Sequence, residues 1–143
     1  MKLFRYAKDG GAESTVSGFF LVEIKSLFSV ALLRFGHGSR DAYHSYSFNS
    51  ISWVLRGMLM ESFVDRLKVN YYFPSLRPII TRRSDFHQVY SYGTTWVLTF
   101  RGFWSRTWNE YIPNEARCRI LTHGRQEVAA ITVDAPVEHG YPN

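Results

Sequence analysis

The segment RDAYHSYSFNSISWVLRG, residues 40–57, sets His44 in a near-alternation of polar and apolar residues that ends on a glycine. Side chains two apart on a strand share a face, so His44, Tyr46, Phe48 and Ser50 point one way, and Ile51, Trp53 and Leu55 take the other parity. A histidine at the mouth of a small barrel can serve as a metal ligand. The same histidine is equally an ordinary member of a half-buried strand, and the residue types leave both readings open. Arg82 and Arg83 alternate in facing on a short strand candidate. One of them is expected to point inward as an anchor for a carboxylate or phosphate, the alternative being a solvated pair on a strand edge. Arg56 and Arg101 stand at strand ends, where they line a mouth or meet solvent. Trp53, Trp96, Trp104 and Trp108 read as core and rim packing; Trp104 and Trp108, in a loop or extension, also read as an aromatic pocket for a base or ring. The phosphate-cradling glycine loop, the Gly-x-Ser-x-Gly elbow and the His-Glu-x-x-His pair are all missing from the sequence.

The elements that must hold these residues are short and strand-like. A leader before the DGGAES turn cluster can pair as an edge strand, and residues 17–24 and 28–35 form a hairpin or, alternatively, one amphipathic helix. The apolar parity changes near Ser50, which predicts a twist or bulge within a strand spanning 44–56. Gly57 allows a sharp bend into a returning strand, MLMESFV, and residues 65–78, with two prolines, read as a long connection. Residues 79–83 and 87–92 are further strand candidates. TTWVLTFRG alternates cleanly and is expected to form a hairpin with 87–92 across Ser91–Thr94. RCRILTH and EVAAITV are the last strand candidates, and the tail 134–143 reads as loose. The whole predicts an all-β single domain over residues 1–143, a sandwich or small barrel.

Composition sets the outer limits. A chain of 143 residues buries about two-thirds of its unfolded surface and needs no covalent staple. Its single cysteine, Cys118, excludes an intramolecular disulfide and reads as a small buried hydrophobe. Phe, Tyr and Trp make up 17% of the residues, which favours pleated strands. The formal net charge of +5 attracts phosphates, nucleotides or acidic proteins. The arginines are scattered, which reads as a solvated surface and against a nucleic-acid footprint. No apolar leader with a cleavage site is visible, and Glu23 and Lys25 interrupt the most apolar window. The expectation is a soluble cytoplasmic protein without a membrane span.

Gly38, five residues, His44, Tyr46, Ser50, six residues and Gly57 reproduce the spacing of the first cupin motif, with Tyr46 where the second histidine of the family stands and Ser50 where its glutamate stands. His87, in RRSDFHQVYS, takes the place of the later histidine. HSYSF, VLRGMLME, TRRSDFH, TWVLTFRG and SRTW follow one another over residues 34–108 in the order found in a group of small phage and bacterial cupins. The chain therefore resembles the cupin superfamily and is distantly similar to cysteine-dioxygenase-type cupins, with a degenerate metal motif.

The resemblance implies a small cupin-like β-barrel, a double-stranded β-helix or jelly roll, that pairs as a homodimer. It implies His44 and His87 as ligands of a divalent metal (Fe, Mn, Ni or Zn), since imidazoles from neighbouring strands can form one face of an octahedron and leave positions open. Tyr46 would hydrogen-bond or stack in the pocket, and Arg82, Arg83, Arg56, Arg101 and Trp108 would contact a ligand. His37, Asp41, Asp85 and Glu61 are further donors of unknown orientation. Two functions stand side by side. One is a phage accessory protein that binds a small anionic ligand, or a host protein such as a defence factor, in the host cytoplasm. The other is an Fe-type cupin dioxygenase acting on a small thiol or acid.

Overall fold

The computed structural model describes residues 1–9, 14–38, 43–64, 66–122 and 125–132. Its strands form two antiparallel sheets, with no α-helix among the described residues. In the first sheet β1 (Lys2–Lys8), β2 (Val16–Ile24), β3 (Phe28–Phe35), β10 (Thr95–Arg101), β5 (Ser50–Arg56) and β8 (Ile79–Thr81) lie in that order. In the second, β13 (Gln126–Thr132), β12 (Arg117–Thr122), β11 (Thr107–Ile112), β4 (Tyr43–His44), β9 (His87–Ser91), β6 (Leu59–Phe63) and β7 (Arg66–Tyr72) do so. This is the jelly roll expected from the sequence.

The edge strand β1 and the β2–β3 hairpin form as read, the turn closing with Leu27 N–H donating to the Ile24 carbonyl at 2.8 Å. Phe20, Ala31, Leu33, Val54, Leu59 and Val97 meet between the sheets as the apolar core. A Cβ on Gly18 would lie 2.8 Å from the Phe20 ring, so the close packing of β2 on this core requires a glycine there.

Several expectations fail for one reason: the chain repeatedly changes sheet where the sequence suggests a bulge or a hairpin. Residues 44–56 are not one strand. The parity change at Ser50 marks the crossing from β4 in one sheet to β5 in the other, with residues 45–49 between them. Serines hold that crossing. Ser45 N–H donates to the Asn109 carbonyl and Asn109 N–H to Ser45 Oγ, both at 2.9 Å. Nor do β9 and β10 form a hairpin: β9 pairs with β4 and β6, and β10 with β3 and β5. Likewise β6 does not return along β5, because Gly57 carries the chain across to the second sheet. The connection read over 65–78 contains β7, which pairs with β6, and β11 arises where no strand was expected. The tail 134–143 lies outside the described residues.

The clean alternation of β10 turns its more polar set inward. Thr95, Val97, Thr99 and Arg101 point inward and are buried, while Trp96, Leu98 and Phe100 point outward. Trp53 and Trp96 are therefore outer-face residues and not core. The same outer face carries two apolar rows in cross-strand register. One runs from Tyr6 through Phe19, Leu32 and Leu98 to Trp53. The other runs from Leu3 through Val22, Val30, Phe100 and Ile51 to Ile80.

Candidate functional site

His44 on β4 and His87 on β9 are direct register partners, and their ring centroids lie 5.1 Å apart. The structure thus brings together the two histidines singled out from the sequence. His87 is 1% exposed. Its Nδ1 is hydrogen-bonded to Glu61 Oε1 of the adjacent β6, and Tyr72 on β7 donates its hydroxyl to Glu61 Oε2 at 2.5 Å. Asn70 Nδ2 donates in turn to the Tyr72 oxygen at 3.2 Å. Burial, then the hydrogen bond to Glu61 and its charge, push the Tyr72 phenol well above its usual range. Tyr72 is therefore a neutral donor and Glu61 an acceptor, which makes His87 Nδ1 the donor to Glu61 and leaves Nε2 as the ring's other polar atom. That Nε2 is buried without a hydrogen-bond partner among the described residues.

Tyr46 stands edge-on to His87, centroids 4.8 Å apart, and stacks on Phe48 at 5.0 Å. Its ring occupies the space beside the histidine pair. Ser50, the other position of the first motif, belongs to β5 in the opposite sheet and pairs with Thr81. The glutamate is supplied from elsewhere, by Glu61, but it is engaged by His87 and Tyr72. His37 is engaged elsewhere as well: its Nδ1 accepts Gly93 N–H at 3.2 Å, and its Nε2 meets the Tyr90 hydroxyl at 3.1 Å. Asp85 accepts the Arg82 N–H at 3.1 Å in a turn, and Asp41 lies outside the described residues. Among the described residues no group of three or more His, Cys, Asp or Glu is placed to hold a metal ion. With Tyr46 and Ser50 in place of the second histidine and glutamate of the cupin motif, and Glu61 committed to His87 and Tyr72, the residues present do not complete that motif's ligand set.

Beside the pair opens a cavity of about 440 Å³. Its walls include His44, Tyr46, Phe48, Trp104 and Trp108, and Arg5, Lys8, Lys25 and Arg125 carry positive charge into it. Phe48 and Trp104 pack at 4.9 Å, and the Lys25 ammonium sits 4.6 Å over the Trp104 ring. A second space, of about 50 Å³, lies deeper between the sheets against Glu61, His87, Thr99 and Arg101. Tyr46 and Phe48 border both spaces and so form the partition between them.

The charges around the cavity are unevenly matched. Glu23, itself buried, takes Arg5 at 2.5 Å and Lys25 at 3.8 Å. Buried Glu110 takes Arg125 at 2.5 Å and also Arg119. Arg101 donates two hydrogen bonds to Asp9, at 3.2 and 2.5 Å, while stacking 4.7 Å over Phe48. Lys8 donates to the Ser14 carbonyl at 2.9 Å. Five cations thus share three carboxylates in these pairs, and Lys8 adds a sixth positive charge.

Of the other sequence candidates, Trp108 reaches the cavity and Arg101 lies inside the barrel, 3% exposed. Arg82 and Arg83 do not point inward. Strand β8 ends at Thr81, and both arginines are exposed in the turn beyond it, where Arg83 N–H donates to Asn49 Oδ1 at 2.9 Å. Arg56 is exposed at the end of β5. Arg5, Lys8, Lys25 and Arg125 escaped the sequence reading. They come from the N-terminal strand and from two separate turn regions, with no shared spacing to link them.

No family model and no curated protein sequence matches the chain. Solved structures do. A sugar phosphate isomerase from a cupin superfamily, from Silicibacter pomeroyi, superposes with a TM-score of 0.60 at 13% identity, over 92% of each chain. A cupin superfamily protein from Desulfitobacterium hafniense gives 0.52 at 17% identity, over 66% of this chain and 84% of its own. Iron(II) HppE gives 0.53 at 13% identity, over 68% of this chain and 55% of its own. The fold is that of the cupin superfamily.

Proposed function

We propose that this cupin-fold protein binds a small anionic ligand carrying a ring, in the cavity walled by Tyr46, Phe48, Trp104 and Trp108. The carrying observation is the surplus of cationic side chains over carboxylates around an aromatic-walled cavity of about 440 Å³. That volume suits a small molecule, the rings offer stacking area, and a surplus of cations favours phosphate or carboxylate. The motif series supports a phage accessory role in the host cytoplasm, with a host protein as the competing ligand for the same basic rim.

Calorimetric titration with adenosine 5′-monophosphate, adenosine and inorganic phosphate as probes tests the ligand class. The nucleotide is expected to bind more tightly than either half, and Lys8→Ala/Lys25→Ala to weaken it about tenfold, the scale of one charge-assisted contact. Equal binding of adenosine and nucleotide would reject an anion site.

The dioxygenase reading draws on the His44–His87 pair and on His87 Nε2, which has no hydrogen-bond partner among the described residues. Elemental analysis of the purified protein decides it. Stoichiometric Fe, Mn, Ni or Zn, lost in His44→Ala/His87→Ala, is its required outcome; the ligand set described above predicts substoichiometric metal.

A further inference from the structure

Between Asp65 and Glu110 the sequence is almost free of acid. Residues 66–109 hold seven lysines and arginines against one carboxylate, Asp85, a surplus larger than the net +5 of the whole chain. Part of this segment meets at one border of the six-stranded sheet, where β10, β5 and β8 lie side by side. Across their outer face Phe100, Ile51 and Ile80 stand in register, and Ile80 is 69% exposed. The chain before β8 folds over the same face, with Trp53 Nε1 donating to the Leu76 carbonyl at 3.0 Å, and leaves the Leu76 side chain 96% exposed. Arginines bound this apolar ground at both strand ends. Arg56 and Arg77 stand at one end and Arg82 and Arg83 at the other, all exposed and none in an ion pair among the described residues.

We infer that this border is a docking surface for an acidic segment of another protein, one that brings apolar side chains to Leu76 and Ile80. A second copy of the chain is the wrong partner. It would set its own arginines against these, and the one carboxylate beside them, Asp85, accepts the Arg82 backbone N–H. Single-stranded nucleic acid needs open ring faces on which to stack its bases. Here the Arg83 guanidinium lies 5.6 Å over the Phe103 ring, Phe100 stands edge-on to Trp53 with centroids 5.8 Å apart, and the most exposed groups are aliphatic. Addition of a strand at the edge is also closed off, since β8 is three residues long, follows Pro78 and is flanked by arginines. The partner therefore lies across the face, its apolar groups at the centre and its carboxylates on the arginines, the arrangement of a protein interface with an apolar core and a polar rim. The face looks away from the cavity between the sheets, so this inference is independent of the proposed ligand.

Fluorescence anisotropy with labelled twelve-residue peptides tests it. One probe alternates Glu with Leu and Phe, a second has Lys for every Glu, a third has Ser for every apolar residue, and a fourth is a twelve-nucleotide oligothymidylate. The first is expected to bind with a Kd at or below about 100 µM, at least about tenfold tighter than the other three. Arg82→Glu/Arg83→Glu is expected to weaken it at least about tenfold and to turn the preference towards the Lys peptide. Leu76→Ser/Ile80→Ser is expected to weaken it about tenfold. Lys2→Glu, an exposed cation at the opposite edge of the same sheet, is expected to leave binding unchanged. Should a variant fail to fold, the wild type answers alone through its ranking of the four probes. No binding of the first peptide at about 1 mM overturns the proposal. So does tighter binding of the oligothymidylate, equal binding of the acidic and basic peptides, or indifference to both double substitutions in folded protein.

Discussion

At the scale of single residues, Tyr72 links the buried network to pH. Burial and Glu61 together hold its phenol protonated, well above the usual range. A phenol that stays protonated in the fold and ionises in the unfolded chain adds stability that is whole below about pH 10 and drains away above it. Urea unfolding at pH 8, 10 and 11 is therefore expected to show stability falling beyond pH 10. Tyr72→Phe should flatten that fall, at a cost of about 1 kcal/mol at pH 8 for the hydrogen bond lost to Glu61. An unchanged slope in the variant would detach Tyr72 from the alkaline limb. The His44–His87 pairing was legible because both residues sit in a recognisable series of short motifs. The role of Glu61 was not. An acidic residue on a strand says nothing about which strand it will lie beside, and Glu61 reaches His87 only because β6 crosses to the sheet that holds β9.

At the scale of elements, alternation revealed most strands and concealed their partners. A two-residue period is identical whether the chain turns back along its own sheet or passes to the other, so 87–101 reads as a hairpin when it is a crossing. Nor does the period say which face is inside. The inward set of β10, with two threonines and an arginine, is the more polar one, which reverses the ordinary assumption. Glycines at the crossings carry more information. Gly57 has φ +91°, and a Cβ there would lie 2.5 Å from Thr95 Oγ1 and 2.7 Å from the Thr94 carbonyl. Gly93 has φ +78° with open space around it. Gly57→Ala is therefore expected to cost about 3 kcal/mol in chemical denaturation, conformational strain and overlap combined, against about 1 kcal/mol for Gly93→Ala. Equal losses would show that the contact with β10 yields freely.

At the scale of the whole molecule, the fold gathers what the sequence scatters. A net charge of +5 looked like a dispersed, solvated surface. In three dimensions Arg5, Lys8, Lys25 and Arg125 converge on one cavity. Ligand affinity in the nucleotide titration should accordingly fall with added salt, since the rim charges are partly solvated and screened within about 8 Å at physiological ionic strength. A salt-independent affinity would place binding on the rings alone. The outer sheet face was illegible for a related reason. Each of its residues looks like a core residue in the sequence, and only the cross-strand register shows that they form a surface.

The ion pair between Arg101 and Asp9 joins the end of a central strand to the far end of the N-terminal edge strand. Arg101 also stacks on Phe48, part of the wall between the two inner spaces. The first nine residues are thus a working part of the cavity rather than a fringe on the sheet, because they supply Arg5, Lys8 and Asp9 together. The cavity can be complete only after the chain's beginning has docked against strands made much later along its length. Anything that holds that beginning elsewhere governs whether the chamber exists.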